Sequence, residues 1–127
     1  MDARLRQLVR ERAQDRCEYC HMEQFREPLP FPVEHIIARQ HGGGDNPDNL
    51  APACHHCNLR KGPNLTGMDP LDGRVVRLFH PRQDSWEKHF LRQGGEIVGT
   101  TPVGRATVRL LRMNEHGRRE LRGESWD

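Results

Sequence analysis

Two Cys-x-x-Cys pairs, Cys17 with Cys20 and Cys54 with Cys57, are separated by 33 residues in a chain of 127. Two thiolates separated by two residues can turn toward one ion, and four complete a closed tetrahedral zinc shell. Such a shell has no open position, so it is structural; free thiols or a redox pair are the competing reading. The staple has work to do, because only 34% of the residues are hydrophobic and the mean hydropathy is -0.90. A chain of this length buries a modest core and gains from a metal. The 33 intervening residues exceed a compact zinc ribbon and must form structure of their own.

No apolar run approaches the ~20 residues that span a bilayer, and the start, MDARLRQLVRERAQ, lacks the apolar stretch of a signal peptide. The expected location is therefore the cytoplasm, with no membrane partner, where paired cysteines serve as ligands rather than disulfides. The formal net charge of +2 argues little by itself. Its distribution says more: residues 1–16 carry five arginines against three acids, residues 17–70 four basic groups against seven acids, and residues 71–127 eleven against eight. A metal-holding centre is thus flanked by basic arms. Arginine far outnumbers lysine, which favours forked contact with phosphate; a solvated arginine-rich surface is the plain alternative.

Asp2 is positioned to cap a helix with Leu5, Leu8, Val9 and Ala13 inward and Arg4, Arg6 and Arg10 outside, ending near Asp15. Residues 21–32, with three prolines, read as loop, and residues 31–37 as a short strand. The Gly42-Gly43-Gly44 run reads as a connection; no Lys-Ser or Lys-Thr follows it, which excludes a P-loop. Residues 49–52 form a second strand and residues 54–61 a helix stopped by Gly62 and Pro63. Farther on, residues 85–92 and 96–100 flank Gly94-Gly95 as a hairpin. Thr101 and Pro102 then open a helix to about Met113, with Val103, Ala106, Leu110 and Met113 on one side, although residues 105–110 also alternate as a strand would. Trp86 and Phe90 anchor a small core in this tail, and the last ten or so residues are expected to fray.

The segments VEHI, a glycine-containing turn, DNLAPAC and HHCNLRKG, bracketed by the two cysteine pairs over residues 17–62, resemble the HNH endonucleases. The tail, from LFHPRQDSWEKHF through TTPVGRATVRLLRMN, is similar to an extension found in a subset of small bacterial HNH proteins. The resemblance implies an α+β fold: a ββα-metal core stapled by a four-cysteine zinc site, with an N-terminal helix and a C-terminal hairpin-plus-helix extension. Residues 1–70 would form the nuclease core and residues 71–127 an extension packed on it, in one compact domain.

It further implies hydrolysis of phosphodiester bonds in DNA, leaving a 5′-phosphate and a 3′-hydroxyl. By the family pattern His35 is the general base, Asn49 braces the loop and orients that base, and Glu34 and Asn58 hold a catalytic Mg²⁺ or Mn²⁺. Many relatives carry Asp where Glu34 stands, and His where Asn58 stands. Neighbours in a regular strand face opposite sides, so a bulge or turn is predicted where Glu34 and His35 share a site. Arg60, Lys61, Arg105, Arg109 and Arg112 are the candidate contacts to nucleic acid, Lys61 being equally a solvated helix end. A non-catalytic, zinc-stabilised nucleic-acid-binding module is the rival function, and a protein-interaction adaptor a more distant one. The set Glu34, His35 and Asn58 separates them, since a pure binder has no chemical reason to keep it. The chain is expected to be a monomer.

Overall fold

The computed structural model describes residues 1–123, which form an α+β protein of short helices and two-stranded antiparallel ladders. The chain makes two compact units, Met1–Pro63 and Asn64–Asp127.

In the first unit, α1 (Ala3–Arg12) starts where Asp2 Oδ1 accepts the Leu5 amide at 2.8 Å. It stops because Gln14 and Asp15 take left-handed backbone angles, φ 57° and 53°. Val9 and Ala13 are buried as expected, whereas Leu8 is 51% exposed, so the inward stripe is narrower than the pattern suggested. Arg10 is not simply outside: its guanidinium donates to the Phe31 carbonyl at 3.1 Å. Arg12 reaches farther, donating to the carbonyls of Pro47 and Leu50, each at 2.6 Å.

Strands β1 (Val33–His35) and β2 (Leu50–Pro52) pair antiparallel, and α2 (His55–Lys61) follows after two residues. Cys54 opens α2, its sulfur accepting the Cys57 amide at 3.4 Å, and Gly62 closes it at φ 51°. The buried side chains between these elements include Tyr19, Met22, Phe31, Ile36 and Leu50, around the four cysteines.

The second unit begins with a hairpin that its sequence did not announce, β3 (Thr66–Met68) with β4 (Val75–Arg77). Its Met68 and Val75 pair across the strands yet stay more than half exposed, so the segment lacks an alternating apolar signal. The strand expected over residues 85–92 splits: α3 (Trp86–His89) is a helical turn, and only β5 (Phe90–Gln93) pairs with β6 (Glu96–Gly99). Phe90 is buried between Phe79 and Trp86, with ring centroids 5.0 Å from each.

Helix α4 (Pro102–Leu111) is capped by Thr101, whose Oγ1 accepts the Gly104 amide at 3.0 Å. It buries Gly104, Ala106, Thr107 and Leu111, while Val103 and Leu110 lie half-buried at the margin of the expected face. The tail expected to fray is helical in part, since α5 (Arg118–Arg122) buries Arg122, whose Nε donates to the Gly95 carbonyl at 2.8 Å. Residues 124–127 of that stretch lie outside the described residues.

Candidate nuclease site and metal centre

The metal centre is built from two turns. After α1, His21 takes a left-handed φ of 61° and the Cys17 amide donates to the Met22 carbonyl, which folds Cys17 and Cys20 back on one another. The start of α2 brings Cys54 and Cys57 against them. All four sulfurs are buried and lie within 4.8 Å of one another. Burial pushes the Cys17 thiol well up, and hydrogen bonds with the other three sulfurs do the same to Cys57. Four buried thiols so crowded ionise together only beside a compensating cation, so the donor set fits a metal ion with closed, tetrahedral sulfur ligation.

On β1 the register is regular: Glu34 opposes Ala51 and His35 opposes Leu50, and Ile36 continues the ladder by donating to the Asn49 carbonyl at 2.8 Å. The predicted bulge is absent, and Glu34 and His35 point to opposite faces. Glu34 turns inward, its carboxylate accepting from the Tyr19 hydroxyl and facing the Lys61 ammonium at 3.6 Å. Burial pushes the Glu34 carboxyl up from an ordinary 4.5 to about 7, against the opposing pull of Lys61 and Tyr19. Burial, joined by the nearby Glu34 charge, likewise holds the Tyr19 phenol well above its ordinary range.

Lys61, read from sequence as a surface cation, is 2% exposed and donates to the Ile36 carbonyl at 2.8 Å. It therefore ties α2 to β1 from inside. Tyr19 and Lys61 meet the two oxygens of Glu34 separately, and a hard dication at Glu34 would stand next to an ammonium. Both Glu34 oxygens are thus engaged by protein groups, and ligation of a divalent ion by Glu34 requires Lys61 to leave.

His35 lies on the other face of β1, with its Nε2 2.6 Å from Asp45 Oδ1. Asn49 holds the intervening loop: its Nδ2 donates to the carbonyls of Ile37 and Gly44, each at 3.0 Å, and its Oδ1 accepts the Ile37 amide at 2.8 Å. Gly43 is more than a connection, because a Cβ there would lie 1.7 Å from the Ile37 carbonyl oxygen. Gly43→Ala is expected to cost about 1–3 kcal/mol by forcing this backbone apart, and to lower any cleavage by displacing the loop beside His35. Urea denaturation with a parallel plasmid assay measures both.

Asn58 is half-buried on α2, directly after Cys57, and is not brought to His35 by any hydrogen bond. Arg60 is half-buried on the same helix. Arg105, Arg109 and Arg112 belong to the second unit. There Arg105 is committed to the buried Asp69 in a forked pair of 2.9 and 2.8 Å. Arg109 is exposed, and Arg112, also exposed, lies 3.6 Å from Glu115. Sequence reasoning missed Tyr19, Asp45 and the burial of Lys61. The only local signal was a tyrosine between two metal-ligand cysteines.

Residues 17–64 match the family model described as HNH endonuclease. No curated protein and no solved structure matches the chain. None of the helices among the described residues is long and apolar enough to cross a membrane. The matched residues are those that build the four-cysteine centre, the β1–β2 ladder and α2, and over that segment the chain is similar to the HNH endonucleases.

Proposed function

We propose that the protein is an endonuclease that hydrolyses phosphodiester bonds in DNA, with His35 as general base and zinc as the structural ion held by Cys17, Cys20, Cys54 and Cys57. The observation that carries this reading is His35 itself, half-buried on β1 beside a loop clamped by Asn49, within the segment that matches the family. Imidazole is suited to the task because its unperturbed pKa lies near working pH.

In the step, His35 takes a proton from water while the water oxygen bonds to phosphorus. The bond from phosphorus to the 3′ oxygen breaks, and that oxygen gains a proton from solvent, leaving a 5′-phosphate and a 3′-hydroxyl. Asn49 braces the loop beside the base. A divalent ion such as Mg²⁺ or Mn²⁺ would supply positive charge to the phosphate oxygens, with Glu34 joining its ligands only once Lys61 has moved away. Arg60, Arg109 and Arg112 are proposed to meet the phosphate backbone, which makes binding fall with salt. We place this activity in the reducing cytoplasm, in a monomer whose 71–127 segment is an extension of the nuclease core.

The deciding test is cleavage of supercoiled plasmid across Mg²⁺, Mn²⁺, Ni²⁺ and Co²⁺, by wild type and by His35→Ala purified identically. Loss of a general base is expected to slow cleavage about 100- to 10,000-fold with metal content and folding unchanged. Equal cleavage by the two proteins would reject His35 as the base. DNA binding by the wild type without cleavage in any metal would favour a non-catalytic binding module instead.

A further inference from the structure

The loop between β1 and β2 delivers a carboxylate to His35. Asp45 Oδ1 lies 2.6 Å from His35 Nε2 and 3.1 Å from the Arg39 guanidinium. Asp45 follows Gly44, whose carbonyl accepts from Asn49, and Gly43 seats this loop against the Ile37 carbonyl. The position of Asp45 is therefore set by its neighbours, although the residue is itself exposed. Its hydrogen bond with His35, aided by the charge of Arg39, holds the Asp45 carboxyl below the usual carboxylate range. An ionised carboxylate only accepts hydrogen bonds, so the imidazole nitrogen that meets it is the one carrying hydrogen.

We infer that Asp45 is a positioning residue that keeps His35 in the tautomer with hydrogen on Nε2 and the Nδ1 lone pair free to accept a proton from water. The inference rests on the reading of His35 as general base and adds the group that orients it. The same geometry assigns work to Arg39. A carboxylate beside an anionic substrate repels it, and the guanidinium on the shared Oδ1 offsets that repulsion. Removing the Asp45 charge therefore has opposite effects on chemistry and on binding: the base loses its orientation, while the phosphate backbone meets one negative charge fewer. A residue that merely held the loop would weaken both.

The test uses the full chain with its bound zinc, comparing wild type, Asp45→Asn and His35→Ala in plasmid cleavage and in ¹⁵N-detected NMR of the His35 ring. Asp45→Asn is expected to lower kcat about 10- to 100-fold with KM unchanged or reduced. In wild type the ring nitrogens should report hydrogen on Nε2, and in Asp45→Asn a mixture of tautomers. A wild-type ring with hydrogen on Nδ1, or a variant with raised KM and unchanged kcat, overturns the role of Asp45. Full activity in Asp45→Asn with none in His35→Ala overturns Asp45 alone, whereas full activity in both overturns the base on which the inference rests.

Discussion

Cys57→Ser is expected to abolish stoichiometric zinc binding and to unfold the Met1–Pro63 unit at room temperature. Two magnitudes lead to this outcome. A structural zinc contributes on the order of 10–16 kcal/mol in small zinc-dependent folds, whereas a core of this size alone rarely supplies more than about 3–5 kcal/mol. The unit has little to replace the ion, because its cysteine sulfurs lie at the centre of its buried side chains. Serine also leaves a hydroxyl where a thiolate closed the shell, and the remaining buried thiols lose their shared counter-charge. Zinc content by mass spectrometry, together with circular dichroism before and after chelation, measures the effect. A metal-free wild type that keeps a cooperative unfolding transition in this unit would remove the structural role of the ion.

The second large effect is expected from Lys61→Met, at about 3–5 kcal/mol of lost stability above neutral pH, because one partner of a buried ion pair remains uncompensated. Methionine conserves much of the volume of lysine, so the loss reports the missing ammonium rather than a cavity. The pH dependence follows from Glu34. Burial raises its folded pKa from an ordinary 4.5 to about 7. A carboxyl raised in this way contributes stability that is fully present below the unfolded value and is lost as pH rises through the folded one. That range corresponds to about 3 kcal/mol.

Zinc-saturated wild type should therefore lose stability between about pH 4.5 and about pH 7 through this group, and Glu34→Gln should show a flatter profile. In Lys61→Met the carboxyl rises further, so its deficit is largest at the alkaline end and shrinks as Glu34 protonates. A deficit independent of pH in urea titrations would separate Lys61 from Glu34.

What the sequence made legible was local in origin. The cysteine spacing, the capping oxygens of Asp2 and Thr101, and the glycine after α2 each act over a few residues, and each is found where its chemistry requires. The order of strand, strand and helix was legible for the same reason. The contacts that shape the candidate site were hidden because they join distant residues: Tyr19 and Lys61 meet at Glu34 from opposite sides of the segment, and Asp45 returns to His35 across a loop. Adjacency in sequence was itself misleading. Glu34 beside His35 suggested one shared site, whereas the regular β1 ladder divides them between the interior and the outer face. In the second unit, Met68 and Val75 pair without being buried, so the β3–β4 hairpin left no periodic trace.

The guanidinium of Arg12 sets the limits of what can be moved as a working part. It satisfies the carbonyls of Pro47 and Leu50, at the entrance to β2, from a helix that lies wholly before residue 17. A polypeptide trimmed to residues 17–64 would keep every cysteine and His35 yet remove the Arg12 donor from both carbonyls, leaving Pro47 only the Leu50 amide, and strip Val9 and Ala13 from the interior. The smallest portable unit that keeps this segment intact therefore starts at Asp2, some fifteen residues before the matched residues do.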